Sequence, residues 1–374
     1  MKILTVVGAR PQFIKAAVFS RAIGEINSED NKIDEIIINT DQHFDPEMSD
    51  IFFDQLKIPV PKYNLDAGKK SHAQMTALIM TDLEKIVINE APDAVLVYGD
   101  TNSTLAAVIS ASKMHVPIIH VEAGLRSNNL LMPEEINRIV SDRLSTYLFC
   151  PSQTAINNLQ EEGYPNPIQD GKKMQQIHNV GDVMFDLYKI MEPNFILNNK
   201  HYKSLGRPFA VLTIHRQEST FSKETVENLF AQIKLLLNNK INIIWPIHPR
   251  MKKIMEEFDI PMNHEFLNVI EPLGYLEMQG LLKSADFVLT DSGGLQKECF
   301  FAKTPCITLR AETEWTETTK FGHNRLYIPN SKVSLLNIAE DIFNENIVFS
   351  DDFMPYGNGN SCKEIINILL REFG

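Results

Sequence analysis

Two doubly wound α/β domains in tandem are what this sequence predicts, on three observations. Short apolar runs bounded by turn residues alternate with longer helical patterns, which is how a parallel sheet covered by helices on both faces reads. That rhythm runs through the first half, breaks at the polar stretch Pro193–Gly206 and then restarts. The chain's 374 residues also exceed the ~250–300 at which a single core stops growing.

In the first half the strands fall at Ile3–Val7, Ile36–Asn39, Ala94–Tyr98, Pro117–Val121 and Thr146–Phe149, each a run of mostly β-branched or large apolar residues. Helical spacing appears over Phe13–Ile26, Met75–Asn89 and Ser103–Met114. After the polar break, strands are expected at Phe209–Thr213, Ile241–Trp245, Phe266–Ile270, Phe287–Thr290 and Cys306–Thr308. The intervening helices are Lys223–Leu237, Leu276–Leu282 and Leu295–Phe301. A last helix, Cys362–Arg371, follows a Gly/Asn stretch at 357–360 that can carry it back to the first domain. The expected division is 1–190, 200–356 and a returning helix over 360–374.

Composition narrows the partners. Hydrophobic residues make up 44% and charged residues 22%, a globular balance. Lys plus Arg number 36 against 48 Asp plus Glu, a net charge of −12 that argues against nucleic acid and anionic membranes as general partners. Only five apolar residues precede Gly8, and no run approaches the ~18 of a membrane helix, so a cytoplasmic protein is expected. The four cysteines, at 150, 299, 306 and 362, lack metal-ligand spacing and read as reduced core thiols, with no metal site.

Ligands of such sheets bind beyond the carboxyl ends of the strands, and the residues there carry the chemistry. The first strand runs into Gly8-Ala9-Arg10-Pro11-Gln12 and a helix holding Lys15, where free backbone N–H groups, the helix dipole and two cations suit an anion. It matches neither a dinucleotide fingerprint nor a Walker loop, and a plain strand-to-helix turn with surface cations fits it equally well. Strand Ala94–Tyr98 ends in Gly99-Asp100-Thr101-Asn102-Ser103, where Asp100 or Ser103 could simply cap a helix. Strand Pro117–Val121 ends in Glu122, a carboxylate that must be solvated, paired or used, with Arg126 as the obvious partner. Pro133-Glu134-Glu135 opens a helix that continues to Arg138, and one of those two glutamates suits the first-turn dipole. Three carboxylates on adjacent loops, Asp100, Glu122 and Glu134, point to proton chemistry, with like-charge repulsion poising at least one of them.

In the second half, two strand tips carry His–Arg clusters, His215-Arg216 and His248-Pro249-Arg250, that suit a phosphate or carboxylate. Thr290-Asp291-Ser292-Gly293-Gly294 then leads into a helix, giving backbone N–H groups and a hydroxyl that can approach phosphate oxygens, although Asp291 or Ser292 could be a mere cap. Glu298 lies one turn further, where its carboxylate could accept from both hydroxyls of a ribose. A nucleotide-sugar site in the cleft between the two domains is the expectation.

Taken in order, GARPQFIKA, YGDTNSTLA, HVEAGLRS, MPEEINR, LTIHR, PIHPR, LTDSGG, QKE and LRAETEW, spread over nearly the whole chain, resemble the non-hydrolysing UDP-N-acetylglucosamine 2-epimerase family. The resemblance implies a GT-B architecture and anti elimination of UDP to a 2-acetamidoglucal, then re-addition with protonation of C2 on the opposite face. It implies no redox cofactor and no metal. Asp100, Glu122 and Glu134 become the groups that move protons, and His215 lies beside the departing diphosphate. Arg10, Ser292, Gly293 and Gly294 hold the diphosphate, Glu298 the ribose, while Lys15, Arg138 and His248 are further substrate-binding candidates. A homodimer and a role in surface-polysaccharide synthesis also come from the resemblance.

Two departures stand out. Trp315-Thr316 occupies the place where the family usually has Arg-Pro, which predicts one cationic contact fewer. Ser71–Ala77 stands where relatives tend to have glycines, which puts a second, regulatory UDP-GlcNAc site in doubt. The Trp variant, with ARPQFIKA, QKE and PCITLR, resembles the subgroup acting on UDP-2,3-diacetamido-2,3-dideoxyglucuronate. A GT-B glycosyltransferase, a hydrolysing epimerase and a non-catalytic nucleotide-sugar binder are the alternatives, and the first has no need of three carboxylates around C2.

Overall fold

The computed structural model describes residues 1–28, 32–42, 59–166, 174–196, 208–216, 220, 222–329, 332–345 and 347–374. The chain folds into two compact units. One is Met1–Ile190 together with Met354–Gly374, and the other is Met191–Phe353. Part of the polar stretch Pro193–Gly206 lies outside the described residues.

The first unit runs β1 (Lys2–Val7), α1 (Arg10–Asn27), β2 (Asp34–Asn39), β3 (Tyr63–Asn64), α2 (His72–Glu90), β4 (Ala94–Tyr98), α3 (Asn102–Lys113), β5 (Ile118–Val121), α4 (Pro133–Leu144), β6 (Tyr147–Cys150), α5 (Gln153–Glu161), β7 (Gln176–Asn179) and α6 (Val183–Met191). The strands pair in parallel in the order β3-β2-β1-β4-β5-β6-β7. β4 shows why such a strand is legible: Ala-Val-Leu-Val-Tyr is buried along its whole length, as a strand covered on both faces must be. β3 and β7 are short or polar edge strands without that signal.

The second unit repeats the plan with β8 (Phe209–Thr213), α7 (Lys223–Asn238), β9 (Asn242–Pro246), α8 (Pro249–Glu257), β10 (Leu267–Ile270), α9 (Tyr275–Ser284), β11 (Phe287–Thr290), α10 (Gly293–Phe301), β12 (Cys306–Thr308), β13 (Asn324–Leu326) and α11 (Leu335–Asn344). Its parallel order is β10-β9-β8-β11-β12-β13. The core beneath is large and aromatic, with Phe230 against the fully buried Trp245 at 5.2 Å between ring centroids.

The C-terminal helix α12 (Ser361–Phe373) packs on α1 and completes the first unit. Asp186 of α6 accepts from Ser361 N at 3.0 Å and Cys362 N at 2.7 Å, satisfying two of the helix's orphan donors. All four cysteines are buried free thiols. Among the described residues no helix is long and apolar enough to cross a membrane.

Strand order reverses between β1 and β4 in the first unit and between β8 and β11 in the second. The loops leaving those strands diverge to opposite faces and open a crevice at the carboxyl end of each sheet. The candidate residues must be sought there.

Candidate functional site

In the first unit the loops after β1, β4 and β5 converge. Lys15, on the first turns of α1, places Nζ 2.7 Å from Glu122 Oε2, directly after β5. Asp100, after β4, places Oδ2 2.7 Å from Arg138 Nη2 on α4, and its carbonyl accepts from Asn137 Nδ2 at 2.8 Å. Gly99 joins the two pairs. Its backbone is left-handed at φ +61°, and a Cβ there would lie 3.3 Å from Glu122 Oε1 and 3.7 Å from Lys15 Nζ. Only glycine gives both the angle and the space.

Several expectations change here. Asp100 does not cap α3, because Thr101 does so, its hydroxyl accepting from Thr104 N at 3.2 Å. Arg126 is not the partner of Glu122. It turns away to Asp142 (Nη1 to Oδ2, 2.7 Å) and to Glu162 (2.6 and 2.9 Å), leaving Glu122 to Lys15. The backbone anion cradle at Gly8-Ala9 does not form, since both N–H groups donate to Gln12 Oε1 at 2.8 and 3.2 Å. Gly8 is explained instead by close packing: a Cβ would fall on the hydrogen-bonded hydroxyls of Thr40 and Ser103. Asp100 and Glu122 are each matched with a cation, and those pairings, rather than bare repulsion between carboxylates, set the electrostatics.

Of the two glutamates opening α4, Glu135 is the structural one. It is 1% exposed, accepts from the N–H groups of Ser127 and Asn128, and takes Arg138 Nη1 at 2.7 Å. Burial pushes its carboxyl up, but those donors outweigh burial and hold it below the usual carboxylate range. Glu134 beside it is exposed. Arg138 thus bridges a buried structural carboxylate to Asp100. Arg10 opens α1 at the carboxyl end of β1.

Beneath these loops lies a group that sequence reasoning passed over. His120 of β5 is fully buried between Asp142 Oδ1 (Nδ1, 2.8 Å) and the carbonyl of Gly99 (Nε2, 2.8 Å). Burial pushes the Asp142 carboxyl up, yet His120 and Arg126 more than compensate and hold it down. A histidine inside an otherwise apolar strand was the available signal.

The second unit gathers its candidates at its own crevice. Asp291, wholly buried, accepts from His215 N at 3.1 Å and Arg216 N at 2.9 Å, fixing the turn after β8. His215 Nδ1 lies 3.2 Å from Asp291 Oδ1 with its side chain half exposed. Ser292 is the cap of α10, accepting from Leu295 N at 3.4 Å, and its own O–H remains a donor. A Cβ on Gly293 would meet Glu314 Oε1 at 2.6 Å and Trp315 Nε1 at 3.4 Å, so protein packing accounts for that glycine. Nothing lies within 4 Å of a Cβ on exposed Gly294, which leaves open space above the helix start. Glu298 accepts from Gln279 Nε2 of α9 at 2.7 Å. Gln279 is buried and was missed, there being no motif around it to read.

His248 is a helix cap in this fold. Its Nδ1 accepts from Arg250 N at 3.2 Å at the start of α8, which Pro249 opens. Trp315 also departs from expectation: Lys297 Nζ stacks 3.8 Å from its ring centroid, and Glu314 draws Arg310 Nη1 to 3.2 Å and Arg216 Nη2 to 3.7 Å. Positive charge is therefore supplied beside the loop by three other side chains.

A profile described as UDP-N-acetylglucosamine 2-epimerase matches residues 25–370. The chain belongs to that family. UDP-2,3-diacetamido-2,3-dideoxy-D-glucuronate 2-epimerase of Pseudomonas aeruginosa is 42% identical over 99% of this chain and 100% of its own. A UDP-N-acetylglucosamine 2-epimerase homolog of Methanococcus maripaludis is 44% identical over 99% of both chains. The crystal structure of Methanocaldococcus jannaschii UDP-GlcNAc 2-epimerase in complex with UDP-GlcNAc and UDP superposes with a TM-score of 0.84 at 39% identity, covering 99% of this chain and 100% of that one. The fold class of this epimerase-family protein is accordingly GT-B-like, and the protein is an isomerase.

Proposed function

We propose that this protein inverts C2 of a UDP-linked 2-acetamido sugar without hydrolysing it. The observation that carries the reading is the gathering of Lys15–Glu122 and Asp100–Arg138 around Gly99 at the carboxyl end of the first sheet. One carboxylate takes the C2 proton, the C–H electron pair becomes the C1=C2 bond, and the C1–O bond breaks with its pair leaving on UDP. In the return step a UDP oxygen adds back to C1 while C2 is protonated from the opposite face. No water is consumed and no electrons are exchanged. Exposed Glu134 completes the carboxylate set. General acid–base catalysis and leaving-group stabilisation would each supply ~10²–10⁴-fold.

The nucleotide grip belongs to the second unit. His215, Ser292 and Gly294 meet the diphosphate, and Glu298, oriented by Gln279, accepts from the ribose hydroxyls. Arg138 steadies Asp100, while His248, capping α8, acts on the substrate only indirectly. We assign UDP-2,3-diacetamido-2,3-dideoxyglucuronate as the substrate, on the full-length likeness to the Pseudomonas enzyme and on Trp315. UDP-GlcNAc is the second reading, favoured by the ligand named for the Methanocaldococcus structure. A cytoplasmic homodimer supplying surface polysaccharide completes the proposal.

NMR in D₂O with each nucleotide sugar separately is the deciding experiment. Deuterium at C2 of the manno product, with no free sugar, is expected. Unlabelled product would overturn elimination, and free sugar would make the enzyme a hydrolase.

A further inference from the structure

Gly99 is held from both sides by one strand. Its N–H donates to Val121 O at 3.0 Å, and its carbonyl accepts from His120 Nε2 at 2.8 Å. On the opposite edge of the ring, Nδ1 meets Asp142 Oδ1 at 2.8 Å. A carbonyl oxygen can only accept. The second oxygen of Asp142 is already engaged by Gly124 N–H at 3.1 Å and Arg126 Nη1 at 2.7 Å, so Asp142 acts as a carboxylate. Nε2 of His120 therefore donates to Gly99, and Nδ1 shares a hydrogen bond with Asp142. The groups facing this cluster are Asp142 of α4, Arg126 and through it Glu162, Cys150 of β6 and Tyr164.

The consequence reaches the reacting carboxylates. Residue 99 is followed by Asp100 and residue 121 by Glu122, and Glu122 itself is left-handed at φ +72°, a conformation unfavourable to a non-glycine residue that its surroundings must hold. Its N–H is tied to Phe149 O at 3.0 Å. We propose that His120 is a positioning residue for the C2 proton transfers, its ring, braced on Asp142, locking the Gly99–Asp100 turn against the strand that ends in Glu122. This rests on the epimerase reading, because it concerns the carboxylates that reading uses.

The test compares wild type with His120→Gln and Asp142→Asn in steady-state turnover of the nucleotide sugar, with and without deuterium at C2. Glutamine cannot reach Gly99 and Asp142 from opposite edges as a rigid ring does, so the turn is released without emptying the core. The expected result is kcat lower by ~10²-fold, KM within ~2-fold, and a larger deuterium isotope effect on kcat as proton transfer becomes limiting. An unchanged isotope effect with kcat reduced only in proportion to folded protein would overturn the proposal. Should neither variant fold, ¹H–¹⁵N NMR of histidine-labelled wild-type enzyme decides: a protected Nε2–H on His120, bonded to the Gly99 carbonyl, supports it, and a bare Nε2 overturns it. Absence of turnover in the wild type itself would instead sink the epimerase reading.

Discussion

Lys15 and Glu122 stand 2.7 Å apart with side chains only 8% and 13% exposed, a nearly buried ion pair that joins the first helix of the chain to the tip of β5. Breaking such a pair from one side strands the other charge in a poor solvent. Lys15→Met should lower stability by about 3 kcal/mol in urea titrations and abolish turnover. The double variant Lys15→Met/Glu122→Gln should recover most of the stability and none of the activity, and recovery of both would remove Glu122 from the chemistry.

Gly99→Ala tests the space between the two pairs. The methyl group needs a left-handed backbone and would press on Glu122 Oε1. A stability loss of about 1–2 kcal/mol is expected, with kcat falling by ~10²-fold. Wild-type rates in this variant would show that the Gly99 turn does not position the carboxylates.

Gln279 donates to Glu298 at 2.7 Å, which makes it a probe of the ribose contact. Gln279→Leu frees the carboxylate to turn, and the Kd for UDP should rise about tenfold, measured by calorimetry, with kcat at saturation little changed.

Glu90 provides a pH test away from the site. Hydrogen bonds from Lys62 and Tyr63 hold its carboxyl at about 2, with burial opposing only in part. A depressed acid stabilises the fold above its unfolded pKa of ~4.3 and loses that contribution as pH falls through the folded value. Glu90→Gln should therefore unfold at lower denaturant than wild type at pH 6, and the gap should close towards pH 2.

Glu35 has the opposite sign. Burial between β2 and α1 raises its carboxyl, against hydrogen bonds from Ser20 and Thr5 that pull it down. An acid raised on folding contributes fully below its unfolded pKa and costs stability as pH rises. Glu35→Gln should raise Tm by a few degrees at pH 8 and leave it nearly unchanged at pH 4, in thermal scans followed by circular dichroism.

What could be read from the chain follows from what each kind of structure writes into sequence. Strands buried on both faces, such as Ala94–Tyr98 and Phe287–Thr290, are unbroken apolar runs with turn residues at their ends, and so they announce themselves. Polar residues at those ends gave the positions of Asp100, Glu122 and His215. Their partners were not readable, because pairing is decided by which loops adjoin across a sheet: Arg126 is close to Glu122 in sequence, but Lys15, 107 positions away, is its neighbour in space. His248 shows a related ambiguity, since an exposed helix cap and an anion ligand call for the same side chain. Glu134 and Glu135 could be separated only by burial, which alternates within one turn of α4.

Because α12 completes the unit that β1 begins, the second unit is an insertion: residues 191–353 interrupt a domain whose two segments lie on either side of it in sequence. During vectorial synthesis the inserted unit can finish folding while its host still lacks a helix. The sheet bearing Asp100 and Glu122 therefore waits, with the face of α1 that α12 will cover exposed, until residues 361–373 have left the ribosome. Nascent chains stalled short of residue 361 should be where chaperones are most needed.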